Sequence, residues 1–335
     1  MSEVLVTVSR GANLESVHRG SIAVVDLQGN LLYSVGDPGR SLYARSAFKP
    51  IQAVPLVESG AADHYGLNEL ELAVCCGSHN GEPMHTRTVH SILDKLGFTE
   101  EALTCGVQTP YMKSTYEELL RSGGHPSPIH NNCSGNHAGL LALAKYMGSN
   151  PHLYRNPDHP VQLRVREMLR ELAGVQEDEI SSAVDGCGIP TLMLPLNRLA
   201  AAYAQLGDPS TLAPERASAI KRVTGAMVAH PEMVSGTGEY DSDVTRVLGG
   251  KVIAKVGAEG VHCTALLNQG IGIALKIDDG NSRAAYPAAL EVLRQLGVLA
   301  SGEQQLLDAH LTPVVRNHLG ETVGRIEPVF TLHKA

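Results

Sequence analysis

The sequence has no tryptophan and only 3 phenylalanines among its 335 residues. Its core must therefore be built mainly from alanine, leucine, valine and isoleucine. Charged residues are also scarce, at 19%, and 27 Lys and Arg against 35 Asp and Glu leave a net charge of −8. An acidic chain of this kind offers no basic footprint for nucleic acid or an anionic membrane. We therefore expect a small-molecule ligand and no nucleic-acid or membrane partner.

No apolar run approaches the roughly 18 residues that a membrane-spanning helix needs. The first residues likewise lack the basic segment and apolar stretch of a secretory signal. The 6 cysteines show no CxxC spacing. In a chain with no secretory signal, this pattern favours reduced thiols or metal ligands over a disulfide framework. We expect a cytoplasmic protein.

Apolar and β-branched runs near both ends of the chain predict strands. These runs cover residues 4–8, 21–25, 31–35, 251–256, 271–277, 313–315 and 322–326. A further apolar run at residues 72–76 is interpreted as a strand that leads into a polar loop. Helical periodicity ending at glycine or proline predicts helices over 86–96, 137–146, 161–172, 198–206, 215–229 and 283–299.

Together these patterns predict an α/β (α+β) fold, in which N- and C-terminal strands form one antiparallel sheet flanked by helices, with an additional helical region. No repeat, low-complexity tract or clear linker divides the chain. We therefore expect a single domain over residues 1–335. Within it, an α/β part formed by 1–75 and 245–335 would surround a mostly helical part, 76–244.

A serine and a lysine three residues apart, Ser46 and Lys49, form the arrangement S-x-x-K. On one helical turn the lysine amine can take the serine proton and activate the hydroxyl as a nucleophile. Pro50 requires the motif to lie in the first turn of a helix, where proline is tolerated. Backbone N–H groups at a helix start can also stabilise an oxyanion.

Penicillin-recognising enzymes combine S-x-x-K with an S-D-N loop and a K-T-G strand. Loose analogues follow here in the same order, as Ser134-Gly135-Asn136 and Lys255-Val256-Gly257. Ser78 lies in the polar loop 77–82, where it would pair with Lys255, and Asn80 or Glu82 of this loop is a candidate for binding a substrate. In the polar segment 131–139, Ser134 and Asn136 would cap the helix that follows.

Five motifs occur together and in order: S-x-F-K at 46–49, C-C-G-S-H-x-G-E at 75–82, N-C-S-G-x-H-A-G at 132–139, D-G-C-G-I-P at 185–190 and K-x-G-A-E-G at 255–260. In this combination the chain resembles the bacterial asparaginase II family, the rhizobial-type or third class of L-asparaginases. The resemblance covers nearly the whole chain. It implies a fold like that of serine β-lactamases and serine-dependent glutaminases, and a homodimer.

The resemblance also implies roles for individual residues. Ser46 would be the nucleophile with Lys49, and Ser78 with Lys255 would form a second Ser–Lys pair. The substrate-contacting positions would be Arg45, His137, Asp185 and Glu259. An arginine suits the α-carboxylate of L-asparagine, and a carboxylate suits its α-ammonium group. The implied reaction is hydrolysis of the side-chain amide to L-aspartate and ammonia.

Relatives in this family bind zinc through two cysteines, here Cys133 and Cys187, and the lysine of a C-S-G-K motif. This chain has Asn136 at the position of that lysine. Because an amide oxygen is a poor zinc ligand beside thiolates, the site would be weak, completed by His137 or water, or absent. We therefore expect no required cofactor and leave zinc open.

Three alternatives to an asparaginase remain at this point. The chain could be another Ser–Lys amidohydrolase, for instance one acting on glutamine. It could be a non-catalytic amino-acid-binding relative, although it retains both Ser–Lys pairs. A zinc hydrolase is disfavoured by Asn136, which replaces a basic ligand.

Overall fold

The computed structural model describes residues Met1 to Ala335. Its strands are β1 (Glu3–Arg10), β2 (Asn13–Val25), β3 (Leu31–Val35), β4 (Ser41–Tyr43), β5 (Ser181–Val184), β6 (Pro190–Pro195), β7 (Val252–Gly257), β8 (Val261–Leu266), β9 (Ile271–Ile277), β10 (Val314–Arg316), β11 (Thr322–Pro328) and β12 (His333–Lys334). Its α-helices are α1 (Lys49–Glu58), α2 (Ala61–His64), α3 (Glu69–Cys75), α4 (Pro83–Leu96), α5 (Lys113–Arg121), α6 (Ser134–Tyr146), α7 (Pro160–Ala173), α8 (Leu196–Gly207), α9 (Pro214–Ala229), α10 (Pro231–Val234), α11 (Tyr240–Val247), α12 (Ser282–Gln295), α13 (Ser301–Leu306) and α14 (Asp308–Leu311). None of these helices has the length and apolar character needed to cross a membrane.

The chain folds into two compact units. The first comprises Met1–Ala47, Met193–Asp208 and Asp243–Ala335, and the second comprises Phe48–Leu192 and Pro209–Ser242. The predicted single domain and its internal boundaries stay a prediction.

The first unit is built on a nine-stranded antiparallel sheet. Seven strands follow the order β10-β11-β1-β2-β9-β8-β7, while β3 pairs with β2 and β12 pairs with β3. Strand β1, near the N-terminus, pairs with β11, near the C-terminus, with Val6 opposite Pro328. The prediction that both ends of the chain share one antiparallel sheet is confirmed.

Helices α8 and α12 pack on this sheet. The contact of α8 with β9 depends on Gly272, because a Cβ atom there would lie 1.8 Å from the carbonyl oxygen of Ala200. The helix backbone therefore rests directly on the strand, at a position where only glycine fits. The mixed fold class, with helices flanking the sheet, is confirmed.

The second unit is mainly helical, and its centre is α6. Residues 134–144 of this helix are all buried, and α1, α3 and α4 pack around it. At the crossing with α3, a Cβ atom on Gly135 would lie 2.3 Å from the carbonyl oxygen of Val74. The crossing therefore requires a glycine. It also fixes the positions of two segments, because the polar loop 77–82 follows α3 and segment 131–133 precedes α6.

The strand predicted at residues 72–76 is wrong, since residues 72–75 form the second half of α3. A capping box starts this helix: the Asn68 side chain accepts a hydrogen bond from the Glu71 N–H at 2.9 Å, and the Glu71 carboxylate accepts one from the Asn68 N–H at 2.8 Å. Because residues 71–75 are all buried, no polar face reveals the helical period in the sequence.

We expect Gly135→Ala to lower the free energy of unfolding by about 1–3 kcal/mol, because its methyl group would collide with the α3 backbone. Gly225→Ala is the matched control. Gly225 is exposed on α9 with open space around its Cβ position, so alanine should stabilise that helix by up to about 1 kcal/mol. Urea denaturation of both variants measures the difference. A Gly135→Ala protein as stable as wild type would contradict the close crossing.

Candidate active site

The S-x-x-K motif lies at the start of α1. A 3-10 helix, Arg45–Phe48, leads directly into α1, whose first residue is Lys49 and whose second is Pro50. This confirms that the proline occupies the first turn, where its missing N–H leaves no hydrogen bond unmade. Arg45 has a φ of 49°, in the left-handed region that a non-glycine residue adopts only at a cost in energy. Backbone strain therefore occurs directly before Ser46, as is typical of functional sites.

Lys49 is buried, with 3% of its surface exposed. Its Nζ atom donates a hydrogen bond to the carbonyl oxygen of Gly77 at 2.7 Å and lies 2.9 Å from Ser78 Oγ and 3.2 Å from Cys133 Sγ. These acceptors compensate for the loss of hydration of the buried amine. The structure thus brings together two predicted catalytic residues, Lys49 and Ser78. It places the amine where it can exchange a proton with the Ser78 hydroxyl.

Two thiols lie next to this lysine. A hydrogen bond from Cys187 lowers the pKa of Cys133 below its usual value, supported by the positive charge of Lys49 and opposed by burial and by Asp185. The same hydrogen bond, together with burial, raises the pKa of Cys187. The Cys187 thiol and Lys49 therefore favour the thiolate form of Cys133 over that of Cys187.

A turn at residues 185–188 delivers Cys187 to this cluster. The Asp185 N–H donates to the carbonyl oxygen of Ile189 at 2.9 Å, and the Gly188 N–H donates to that of Asp185 at 2.8 Å. The Arg155 guanidinium covers the turn, since a Cβ atom on Gly188 would lie 2.3 Å from its Nη1 atom. Sequence reasoning missed Arg155, which belongs to a polar segment without a motif.

The residues present do not fit a zinc ion. Cys133 and Cys187 supply two thiols, but structural zinc takes four protein ligands and catalytic zinc three. The Asn136 side chain is buried, and its amide nitrogen donates to the carbonyl oxygen of Cys75 at 3.4 Å. No three His, Cys, Asp or Glu side chains come together in an arrangement that could hold a metal. His137 therefore does not complete the site either.

The prediction that Ser134 and Asn136 cap α6 is wrong. The N-cap residue is Cys133, and its side chain makes no capping hydrogen bond. Ser134 Oγ instead donates to the carbonyl oxygen of Ile129 at 2.9 Å and lies 2.9 Å from His79 Nε2. The Ile129 carbonyl oxygen and the His79 ring nitrogen are buried, and buried polar atoms require hydrogen-bond partners. The Ser134 hydroxyl supplies these hydrogen bonds in place of a helix cap.

His137 faces an unusual set of partners. Its Nδ1 atom contacts the Tyr154 hydroxyl. That hydroxyl accepts hydrogen bonds from the N–H of Thr104 at 3.2 Å and from its Oγ1 at 2.9 Å. With both acceptor positions used, the Tyr154 proton is left for Nδ1, so the ring proton lies on Nε2. Burial, Lys49 and Arg155 lower the pKa of His137 well below its usual value, and the ring is neutral.

The Nε2–H group of His137 is a buried donor without a partner. Such a group is stabilised when a ligand oxygen reaches it, as a substrate-contacting role requires. Thr104 and Tyr154 were not found from the sequence, because nothing in their spacing marks a partnership with His137.

The loop at residues 77–82 is joined to residues 234–238, a segment that the sequence analysis did not select. Ser78 N–H donates to the Val234 carbonyl at 2.7 Å, and Asn80 N–H donates to the Ser235 carbonyl at 2.8 Å. The Thr237 N–H donates to the carboxylate of Glu82 at 2.9 Å. These hydrogen bonds fix the loop that carries the predicted residues Ser78 and Asn80.

In the first unit, Lys255 is fully buried on β7, where its Nζ atom donates to the carbonyl oxygen of Val256 at 2.9 Å. Gly257 ends this strand against the residue that precedes Arg45, since a Cβ atom on Gly257 would lie 2.9 Å from the Ala44 carbonyl oxygen. Strand β7 therefore ends beside the segment that carries Arg45 and Ser46.

Glu259 lies in the turn between β7 and β8. It is exposed and has a φ of 63°. Its carbonyl oxygen accepts a hydrogen bond from Lys276 Nζ at 2.5 Å. An exposed carboxylate is a weaker partner for an ammonium group than the half-buried Asp185.

We expect Tyr154→Phe to release His137 from its single tautomer, because the donor to Nδ1 is lost. It should also lower the free energy of unfolding by about 1–3 kcal/mol, since the Thr104 N–H loses its partner. Imidazole nitrogen-15 NMR should show a protonated Nε2 in wild type and a tautomer mixture in the variant. Tyr203→Phe is the control, because it removes an equally buried hydroxyl bonded to the Ala47 carbonyl at 2.6 Å. A wild-type ring with its proton on Nδ1 would contradict the assignment.

Among solved structures, the chain is similar to a β-lactamase from Mycobacterium bovis, at 14% identity over 84% of this chain and 95% of that one, with a TM-score of 0.42. It is similar to a class C β-lactamase from Rhodobacter sphaeroides, at 13% identity over 84% and 95%, with a TM-score of 0.42. It is also similar to the glutaminase Mglu in its native form, at 16% identity over 84% and 62%, with a TM-score of 0.39.

No curated protein matches the chain. The sequence model of the L-asparaginase II family, in contrast, matches residues 6–328. Because this match spans nearly the whole chain, the protein belongs to the L-asparaginase II family of amidohydrolases.

Proposed function

We propose that the protein hydrolyses the side-chain amide of L-asparagine to L-aspartate and ammonia by Ser–Lys catalysis. The observation that carries the proposal is the contact of 2.9 Å between the buried Lys49 amine and Ser78 Oγ, at the start of the helix that follows Ser46. Membership of the family supports the choice of an amide substrate. A serine beside a lysine amine is a means of activating a hydroxyl without a metal.

The reaction proceeds in two halves. In the first, the Lys49 amine, after losing its own proton, takes the proton of Ser46 while Ser46 Oγ forms a bond to the carboxamide carbon. The carbon–nitrogen bond then breaks, the leaving nitrogen takes up a proton, and ammonia departs from an aspartyl ester of Ser46. In the second half, water attacks the ester, its proton returns to Ser46, and aspartate is released.

Ser78 acts as a proton relay in this scheme. Its hydroxyl is in contact with Lys49 and is half-buried, so it can pass a proton between the lysine and the leaving nitrogen. Lys255 is the second buried lysine of the proposed machinery. We assign it to the support of this relay, in keeping with the second Ser–Lys pair of the family resemblance.

Charged and polar side chains would bind the ends of the substrate. Arg45 is the proposed partner of the α-carboxylate, and the Nε2–H of His137 offers a further donor to a substrate oxygen. For the α-ammonium group we favour Asp185 over Glu259, because Asp185 is half-buried and Glu259 is exposed.

The homodimer and the cytoplasmic location stay predictions from the sequence. So does the absence of nucleic-acid and membrane partners.

We expect Ser46→Ala to reduce ammonia release from L-asparagine by at least about a thousandfold, as loss of a nucleophile does. The control is Ser41→Ala, which changes an exposed serine of β4 and should leave the rate unchanged. Lys49→Met should be as inactive as Ser46→Ala, because both act in the same proton transfer. Purified proteins at equal concentration are assayed with L-asparagine and, separately, with L-glutamine.

The outcomes separate the alternatives. Turnover of glutamine in preference to asparagine would make the protein a glutaminase of the same chemistry. Binding of asparagine without any turnover would place it among non-catalytic relatives. Full activity of Ser46→Ala with loss of activity in Ser78→Ala would transfer the nucleophile role to Ser78.

We expect exhaustive dialysis against a chelator to leave ammonia release unchanged. The physical reason is that only two thiols face each other where relatives hold zinc, and the Asn136 amide is turned to the Cys75 carbonyl. Adding zinc back should not raise the rate. Activity lost on chelation and restored by zinc would overturn this expectation, with protein dialysed without chelator as the control.

A further inference from the structure

The side chain of Asn80 is buried in the second unit, and both of its polar atoms lack a hydrogen-bond partner. Only 2% of the residue is exposed, and the unpaired atoms are Oδ1 and Nδ2. An unpaired buried polar group costs about 1–3 kcal/mol. Native proteins keep such groups mainly where a ligand or water completes them.

The backbone places this amide on the same side of the loop as the Ser–Lys contact. The N–H groups of Ser78 and Asn80 both point to residues 234–235, while the His79 N–H points away, to the Asn132 carbonyl at 3.1 Å. Alternating directions of this kind are typical of extended chain, in which residues two apart share a face. Two residues of extended chain span about 7 Å. A small amino acid bound at Ser78 can therefore reach Asn80.

Gly236 holds the amide in place. A Cβ atom on this residue would lie 2.2 Å from Nδ2, 2.3 Å from Cγ and 2.5 Å from Oδ1 of Asn80. The Gly236 backbone therefore covers the plane of the amide, and any larger residue would displace it. Its N–H donates to Ser242 Oγ at 3.2 Å, which anchors the covering segment.

We propose that Asn80, positioned by Gly236, recognises the side-chain carboxamide of the substrate. A primary amide offers a donor and an acceptor side by side, so it can satisfy Oδ1 and Nδ2 together. The product carboxylate offers acceptors only and would face Oδ1 with a second acceptor. Asn80 therefore distinguishes asparagine from aspartate. This inference rests on the proposed function.

Because Asn80 is covered, a ligand reaches it only when residues 235–238 move. Gly236, with a φ of 136°, gives this segment the backbone freedom to do so, and Gly238 has a positive φ of 75° as well. Replacement of Gly238 strains the backbone without touching Asn80, because its Cβ position has nothing within 4 Å. Gly238→Ala is thus the matched control for Gly236→Ala.

The test compares KM for L-asparagine with the inhibition constant of L-aspartate. In wild type, asparagine should be preferred. In Asn80→Ala, we expect KM to rise about tenfold, with kcat and the aspartate constant changing less than twofold. Gly236→Ala should shift the ratio of KM for asparagine to the inhibition constant of aspartate in the same direction. Gly238→Ala should leave this ratio unchanged. The double variant Asn80→Ala/Gly236→Ala should match Asn80→Ala in this ratio, because no amide remains to be displaced.

An unchanged ratio in Asn80→Ala, with wild-type turnover intact, would overturn this inference and leave the asparaginase proposal standing. A ratio shifted equally by Gly236→Ala and Gly238→Ala would show backbone strain instead of positioning. A wild-type protein that releases no ammonia from asparagine would overturn the proposed function and this inference with it.

Discussion

The close crossing of α3 and α6 is the constraint on which the second unit's part of the site depends. Gly135 has no Cβ, so α6 can approach the backbone of α3 at Val74. This crossing fixes the end of one helix and the start of the other. The polar loop 77–82 and segment 131–133 therefore meet, which brings Ser78 and Cys133 to the amine of Lys49.

Burial determines the chemistry of the groups assembled there. His137 stays neutral because its ring is enclosed and lies near the positive charges of Lys49 and Arg155. Tyr154 is also enclosed, and burial raises its pKa to about 12, so its hydroxyl retains the proton that it donates to His137. His137 Nε2 and both amide atoms of Asn80 are among the few buried side-chain atoms that have no hydrogen-bond partner. A ligand that supplies the missing hydrogen bonds to such buried atoms is bound more favourably there than at atoms already paired.

Much of this arrangement could be predicted from the sequence, because it depends on local patterns. The shared terminal sheet followed from alternating apolar runs, and the position of Lys49 followed from Pro50. The helical state of residues 72–75 could not be recognised, since these residues are all apolar and buried and show no polar face. Tyr154 and Gly236 were missed for another reason. Their partners lie 17 and 156 residues away, and single-sequence patterns do not report contacts over such distances.

Asn136, which stands where the family resemblance implies a zinc-binding lysine, brings no positive charge to the cysteines. A thiolate that a metal would otherwise neutralise needs a different partner in a buried site. The partners present are Lys49, whose Nζ atom lies 3.2 Å from Cys133 Sγ, and the thiol of Cys187, and both lower the pKa of Cys133. The Lys49 amine therefore makes two contacts: its Nζ atom lies 3.2 Å from Cys133 Sγ and 2.9 Å from Ser78 Oγ. A change to Cys133 must then alter the electrostatic environment of the proposed proton transfer, even though sulfur takes no part in the bonds that form or break.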